Sequence, residues 1–268
     1  MNETVPMLLD ASLRDAWTQD GEHASIEIPH GWMQGRSTFG GLTAAIMAAL
    51  ARNTEPDITR SLRSASIQLV APVLPGTTRG EATVLRRGRN ITFVEVRLHQ
   101  TDGLVARSTM VFAKRLESSI EIAAPPMPEI GDPDTFSPIP YIEGVTPEFT
   151  QKMDMRWAEG RPPFMGGTEP AFTGVFRYRV PLGGVEGVLA LLDSYPAPVL
   201  SLLKTPAPAS TVTWTAHPLS VPASFDDWFT LRYESLTGSN GLHTVTGRLY
   251  DATGTMVGWT EQLVAVFG

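Results

Sequence analysis

Three places in this chain carry residue types and spacings suited to chemistry. Gly40-Gly41 opens the run Leu42-Thr43-Ala44-Ala45-Ile46-Met47-Ala48-Ala49-Leu50-Ala51. A helix that starts on glycines lets another group approach its backbone closely, and its first N–H groups form the positive end of the dipole. Such a start can receive a carbonyl oxygen that gains negative charge. Asp193 follows the apolar run Val188-Leu189-Ala190-Leu191-Leu192. A carboxylate buried beside such a run has a raised pKa and can act as a general base, whereas a lone Asp there reads more simply as the end of a helix before Pro196. Arg86, Arg87 and Arg89 surround Gly88; guanidinium forks suit phosphate, but a hairpin turn with solvated charges accounts for most of them. Several chemistries are excluded or unsupported. With no cysteine there are no disulfides, no thiolate nucleophile and no zinc–thiolate site. The five histidines, His99 and His217 among them, have no metal-ligand spacing and no paired nucleophile, so they read as structural. No Gly-x-Ser-x-Gly elbow is present, which argues against a serine hydrolase.

The elements that must position these residues follow from composition and pattern. The chain has 268 residues, room for one large domain or two modest ones, with 42% apolar and 18% charged residues, which is ordinary for a globular protein with a sizeable core. A formal charge of −7 gives no sign of a nucleic-acid partner. Residues 1–10 have neither a basic start nor a long apolar stretch, and no segment is apolar for the roughly 20 residues a bilayer requires. The expectation is a soluble, cytoplasmic protein without membrane association. The run from Gly40 has almost no polar face, so it must be covered on nearly all sides.

Residues 1–22 read as a short amphipathic lead-in, residues 25–28 as a half-buried strand, and His30 to Gly35 as a turn or loop leading to the helix. Strands are expected over residues 63–70, 80–85, 91–99 and 104–114, with hairpin turns at residues 87–90 and 101–103. From residue 118 to 149 the pattern lapses, and Pro125, Pro126, Pro128, Pro133, Pro138 and Pro140 mark a linker over the surface. Short strands are expected at residues 153–157 and 172–180. The sequence then repeats itself: an apolar helical run over residues 188–203, interrupted by Pro196 and Pro198, precedes strands at residues 211–216, 228–234, 243–250 and 256–267. Thr211-Val212-Thr213-Trp214-Thr215-Ala216 can be laid on Ser66-Ile67-Gln68-Leu69-Val70-Ala71. Helix, strands, linker, helix, strands is an internal duplication. Two such units can pair edge to edge and close the sheet edges each would leave open.

With both halves in view, the chain resembles the double-hotdog acyl-CoA thioesterases, the acyl-CoA thioesterase II type. The resemblance rests on Phe39-Gly40-Gly41, on Leu85-Arg86-Arg87-Gly88-Arg89 and on Gly258-Trp259-Thr260-Glu261-Gln262, and it covers all but the first twenty residues and the linker. It implies an α+β fold in which each of two tandem units wraps an antiparallel sheet around an apolar helix. The units are residues 1–117 and 150–268, joined by the linker at 118–149. It also implies an Asp, a Thr or Ser, and a Gln in the second unit that hold a water for attack on a thioester. Asp193, Thr211 (with Ser210 and Thr213 nearby) and Gln262 stand at those positions. Where the family has an Asp-His pair two and three residues after the threonine, this chain has Thr213 and Trp214. By the repeat, Met110 stands opposite Gln262 and Ala48 near Asp193, so only the second half keeps the polar set.

The resulting expectation is hydrolysis of an acyl-CoA thioester without metal or redox cofactor. Asp193, Thr211 and Gln262 would activate water, and Gly40 and Gly41 would receive the carbonyl oxygen between the two halves. Individually each residue has a structural explanation: Thr211 as a strand former, Gln262 as a core amide, Trp32 and Trp214 as core or acyl-tunnel lining. Two other readings share the fold. One is a non-catalytic module that binds acyl-CoA or lipid. The other is a hotdog hydratase, which the lack of a His near Asp193 disfavours. A homo-oligomer is compatible with the exposed sheet faces of such folds.

Overall fold

The computed structural model describes residues 11–20 and 23–267. The first half contains β1 (Thr18–Asp20), β2 (His23–Ile28), a small hairpin of β3 (Met33–Gln34) and β4 (Ser37–Thr38), then α1 (Gly40–Thr54). Strands β5 (Arg60–Leu69), β6 (Gly76–Arg87), β7 (Ile91–Gln100) and β8 (Gly103–Lys114) follow. The second half contains β9 (Met153–Glu159), β10 (Ala171–Tyr178), α2 (Gly184–Leu192), β11 (Ala209–Pro218), β12 (Phe229–Ser239), β13 (Leu242–Tyr250) and β14 (Met256–Val266).

Apart from the small hairpin, the strands form one twelve-stranded sheet in the order β1-β2-β6-β7-β8-β5-β11-β14-β13-β12-β10-β9. Every pairing in it is antiparallel. The order reads the same from either end when β5 is matched to β11, so the two halves are related by a pseudo-two-fold through the β5–β11 seam. There Ile67 pairs with Trp214 and Ser66 with Thr215, and each half closes the other's open edge. This is the double hotdog the sequence implied.

The glycine- and alanine-rich helix α1 is buried from Gly40 to Ala51. Its small residues allow close approach to α2: a Cβ at Gly41 would lie 2.9 Å from the Ala190 Cα. The two helices run antiparallel, the start of α1 against the end of α2. The run expected over residues 188–203 instead folds as α2 from Gly184 to Leu192, and a separate 3-10 turn spans Pro198–Leu202. Val185 extends the apolar stripe of Val188, Leu189 and Leu192 backwards, while Pro196 and Pro198 deny the chain the N–H groups and the geometry to continue.

The described part of the lead-in holds a 3-10 turn at Ala11–Arg14 and strand β1, and Leu13 and Trp17 are buried against α1, with Trp17 Nε1 donating to the Ile46 carbonyl at 3.2 Å. The expectations for residues 1–10 fall outside the described residues. After Lys114 the chain crosses the outer face of the sheet, where Ile122 to Pro125 lie beside Arg63, His217 and Trp259. The Arg156 guanidinium then holds the carbonyls of Pro133 (2.8 Å) and Phe136 (3.2 Å). The crossing ends in a 3-10 turn, Glu148–Lys152, whose Phe149 ring stacks on Phe39 with centroids 4.1 Å apart.

The repeat is real, but its register differs from the one expected. Both seam strands bulge, β5 at Arg63 and β11 at Val212. Matching the bulges aligns Thr211 with Leu62 rather than with Ser66. A shift of four residues leaves the alternation of faces unchanged, so alternation alone does not detect it. Across the next strand, Ala65 pairs with Met110 as Trp214 pairs with Gln262, so Met110 is the counterpart of Gln262.

Candidate active site

Asp193, Thr211 and Gln262, far apart in sequence, form one hydrogen-bonded row. Thr211 Oγ1 donates to Gln262 Oε1 at 2.7 Å, and Gln262 Nε2 donates to Asp193 Oδ1 at 2.9 Å. The threonine hydroxyl thereby fixes which end of the amide faces the carboxylate. Each residue is positioned by a specific local feature. Asp193 is the residue at which α2 ends, its N–H turned back to Ala190 and Leu191. Gln262 lies on the inner face of β14 and is only 4% exposed. Thr211 reaches it because of the bulge at Val212. Trp214 points inward, and strict alternation would turn Thr211, three residues away, to the outer face. The extra residue returns it to the inner one.

The carboxylate is set against the other half of the molecule. A Cβ at Gly40 would meet Asp193 Oδ2 at 2.6 Å, so only glycine leaves room for the carboxylate against the start of α1. Asp193 as a residue is half-buried, and its carboxyl is desolvated. Burial pushes its carboxyl up to about 7, while Gln262 and the Gly41 N–H favour the charged form and oppose that rise. The Gly41 N–H lies near enough to the carboxylate to favour its charged form. Both glycines of the helix start therefore lie beside Asp193.

Two buried phenols flank the carboxylate, and neither was singled out in the sequence. Tyr178 Oη lies 3.1 Å from Ser194 Oγ, which donates to the Ala190 carbonyl at 3.0 Å; this fastens the end of α2 next to Asp193. Tyr233 stands edge-on to Phe172 at 5.9 Å. Burial pushes both phenols up, and the negative charge of Asp193 adds to the effect. Inward-facing tyrosines on alternating strands look like core in a sequence, so no pattern distinguishes them.

The remaining candidates lie elsewhere. Arg87 is ion-paired to Glu55 at 3.0 Å, and Arg60 holds the carbonyls of Gly88 and Arg89. That hairpin belongs to the C-terminal end of α1, about 20 Å along the helix from Gly40. His217 packs at a tilt against Trp259 on the outer face, and His99 lies near Glu81. Trp214 is core, donating to Thr260 Oγ1, while the neighbouring Thr213 pairs with Gln68 of β5 at the seam. Trp32 stacks on Phe39 at 6.4 Å, under the Lys152 ammonium. Among the described residues, no group of His, Asp or Glu could hold a metal ion, and no helix is long and apolar enough to cross a membrane.

Comparison with known proteins agrees with this architecture. The model of the acyl-CoA thioesterase C-terminal domain matches residues 125–266, and that of the acyl-CoA thioesterase N-terminal domain matches residues 28–113. The chain belongs to the acyl-CoA thioesterase family. Among solved structures it is similar to a hot dog fold protein of unknown function from Alicyclobacillus acidocaldarius (TM-score 0.84, 22% identity, covering 96% of this chain and 98% of that one). It is also similar to the acyl-CoA thioesterase II TesB2 from Mycobacterium marinum (TM-score 0.75, 14% identity, 96% and 98%). At such identities these likenesses establish the fold. No curated protein matches the sequence.

Proposed function

We propose that the protein hydrolyses an acyl-CoA thioester to the free acid and coenzyme A, with Asp193 as the base that activates water. The observation that carries this reading is the row Thr211–Gln262–Asp193 ending against the glycine start of α1. One acidic group with its pKa near neutrality lies at the junction of the halves, and an ordered amide orients it. Gln262 occupies Oδ1, which leaves Oδ2, the oxygen beside Gly40, to hold the water. Ionised Asp193 takes a proton as the water oxygen attacks the thioester carbonyl, and the α1 dipole favours the negative charge that builds there. When the C–S bond breaks, the proton on Asp193 goes to the leaving sulfur, giving the thiol and restoring the carboxylate. Thr211 acts through Gln262 and is a positioning residue.

The test is release of free thiol from acyl-CoAs of graded length and branching, wild type beside Asp193→Asn. Hydrolysis by the wild type that falls at least 10³-fold in a variant whose Tm is no lower than that of the wild type is the expected result. Equal turnover by both proteins removes Asp193 as the base. Binding of acyl-CoA with no turnover by the wild type replaces the hydrolase reading with that of a binding module.

A further inference from the structure

Tyr233 is placed as a substrate-facing residue would be. It lies on β12 directly across from Gly247 of β13, and Gly247 in turn faces Thr260 of β14, two residues before Gln262 on the same inner face. A Cβ at Gly247 would meet Tyr233 Cδ2 at 2.7 Å and Thr260 Cγ2 at 2.8 Å. The tyrosine ring therefore leans across the glycine toward the strand that carries Gln262, and it can do so only because residue 247 has no side chain. Phe172 holds it edge-on from the other side. The residue is 1% exposed, and what bears on its hydroxyl is burial and the negative charge of Asp193 rather than a hydrogen bond to a described residue. Of the other three buried phenols of this half, Tyr178 has Ser194, Tyr195 Oη reaches the carbonyls of Arg156 (2.7 Å) and Val175 (2.9 Å), and Tyr250, which like Tyr233 has no such bond, lies away from the charge of Asp193 that Tyr233 feels. A phenol enclosed in a core needs a partner for its O–H, and phenylalanine would fill the same space without that need.

We propose that the Tyr233 hydroxyl is a catalytic donor that hydrogen-bonds the thioester carbonyl oxygen of the substrate. This rests on the hydrolase reading and deepens it. The Asp193 carboxylate already lies against the start of α1, so that helix start does not supply all the stabilisation of the carbonyl oxygen. A neutral phenol supplies the rest. Its pKa is held above the ordinary value, so it stays protonated while Asp193 ionises and can donate throughout the working range. As water adds to the carbonyl carbon, the C=O pair moves onto oxygen, and the Tyr233 O–H shortens its bond to that oxygen without giving up its proton. When the oxyanion collapses and the C–S bond breaks, the bond relaxes, and the sulfur is protonated from Asp193 as before.

The experiment is steady-state hydrolysis of the best acyl-CoA by Tyr233→Phe beside wild type and Asp193→Asn. A donor made stronger in the transition state is worth about 10²-fold in kcat, with KM changed little. Because no protein group loses a partner, Tm is expected to stay at the wild-type value. Gly247→Ala, which pushes the ring aside while keeping its hydroxyl, is expected to lose kcat as well. Wild-type kcat in Tyr233→Phe, with Asp193→Asn inactive, overturns this proposal and leaves the hydrolase reading standing. A wild type that turns over no thioester overturns both.

Discussion

At the scale of single residues, the behaviour of Asp193 follows from where its charge is placed. Its carboxyl is pushed up to about 7 chiefly by burial. A base must be ionised, so kcat/KM is expected to rise about tenfold per pH unit below 7 and level off above it. Tyr178 and Tyr233, the ionisable groups that share its surroundings, remain neutral across this range, so a single ionisation is expected. A pH–rate profile with its midpoint near 4, the ordinary range for Asp, would remove the influence of burial. The same shift governs stability, with the opposite benefit. The folded state holds the proton more tightly than the unfolded chain, whose Asp titrates near 3.8. The contribution is therefore full below about 4 and is lost as pH rises through 7. Asp193→Asn removes that loss, so at pH 8 its Tm is expected to equal or exceed that of the wild type while its activity is gone. The types of all three polar residues, and their order along the chain, are legible in the sequence through the family resemblance. Tyr233 is not, because its significance lies in its place beside Asp193 and in the glycine across from it, and neither is a sequence pattern.

At the scale of elements, the site depends on two irregularities and one long connection. The bulge at Val212 is what turns Thr211 inward, and without it the alternating threonines of β11 would present that hydroxyl to the outer face. A strand of Thr, Val and Trp reads as regular alternation, so the strand was visible and its irregularity was not. The early end of α2 is more legible, since Pro196 and Pro198 announce it. The connection was recognised by its prolines as a strap over the surface, but its end does more than connect. Phe149, 2% exposed, stacks on Phe39, the residue just before Gly40. Glu148 Oε2 also accepts from the Met33 N–H at 3.4 Å, so the strap pins the hairpin that leads into α1. Phe149→Ala removes a buried ring and is expected to cost about 3 kcal/mol. Because the lost contact is at the N-terminus of α1, kcat is expected to fall along with Tm. A chemical denaturation midpoint like that of the wild type would show that the strap does not hold the helix start.

At the scale of the whole molecule, duplication creates two equivalent junctions, and the chain has made them different. One is the site: the start of α1 against the end of α2. The other, the start of α2 against the end of α1, is filled by an ionic lock. Glu186, in the first turn of α2, has no exposed side-chain surface and receives Arg14 Nε at 2.9 Å from the N-terminal 3-10 turn. Asn53 near the end of α1 holds the Arg14 carbonyl at 2.9 Å, and Arg52 beside it feels the charges of both Arg14 and Glu186. Glu186 at a helix start is already favoured by the dipole, but a buried carboxylate still needs a partner. Where the first junction leaves a carboxylate with no cationic partner among the described residues, the second pairs its carboxylate with Arg14 and covers it. With Met110 in place of Gln262, it has no group to orient a water. The duplicated fold therefore keeps the Asp–Gln–Thr row at one of its two junctions. Arg14→Ala strips the partner from Glu186 and is expected to cost about 2 kcal/mol, less than a fully buried pair because Arg14 is one-third exposed. Arg14→Ala with Glu186→Gln is expected to recover part of that loss, since the amide carries no charge to strand. Throughout, kcat should stay at the wild-type value, because the lock lies at the opposite end of both helices from Asp193. Differential scanning calorimetry on the single and double variants, with turnover measured on the same samples, checks both halves of the expectation. Loss of activity without loss of stability would mean that the second junction takes part in the reaction.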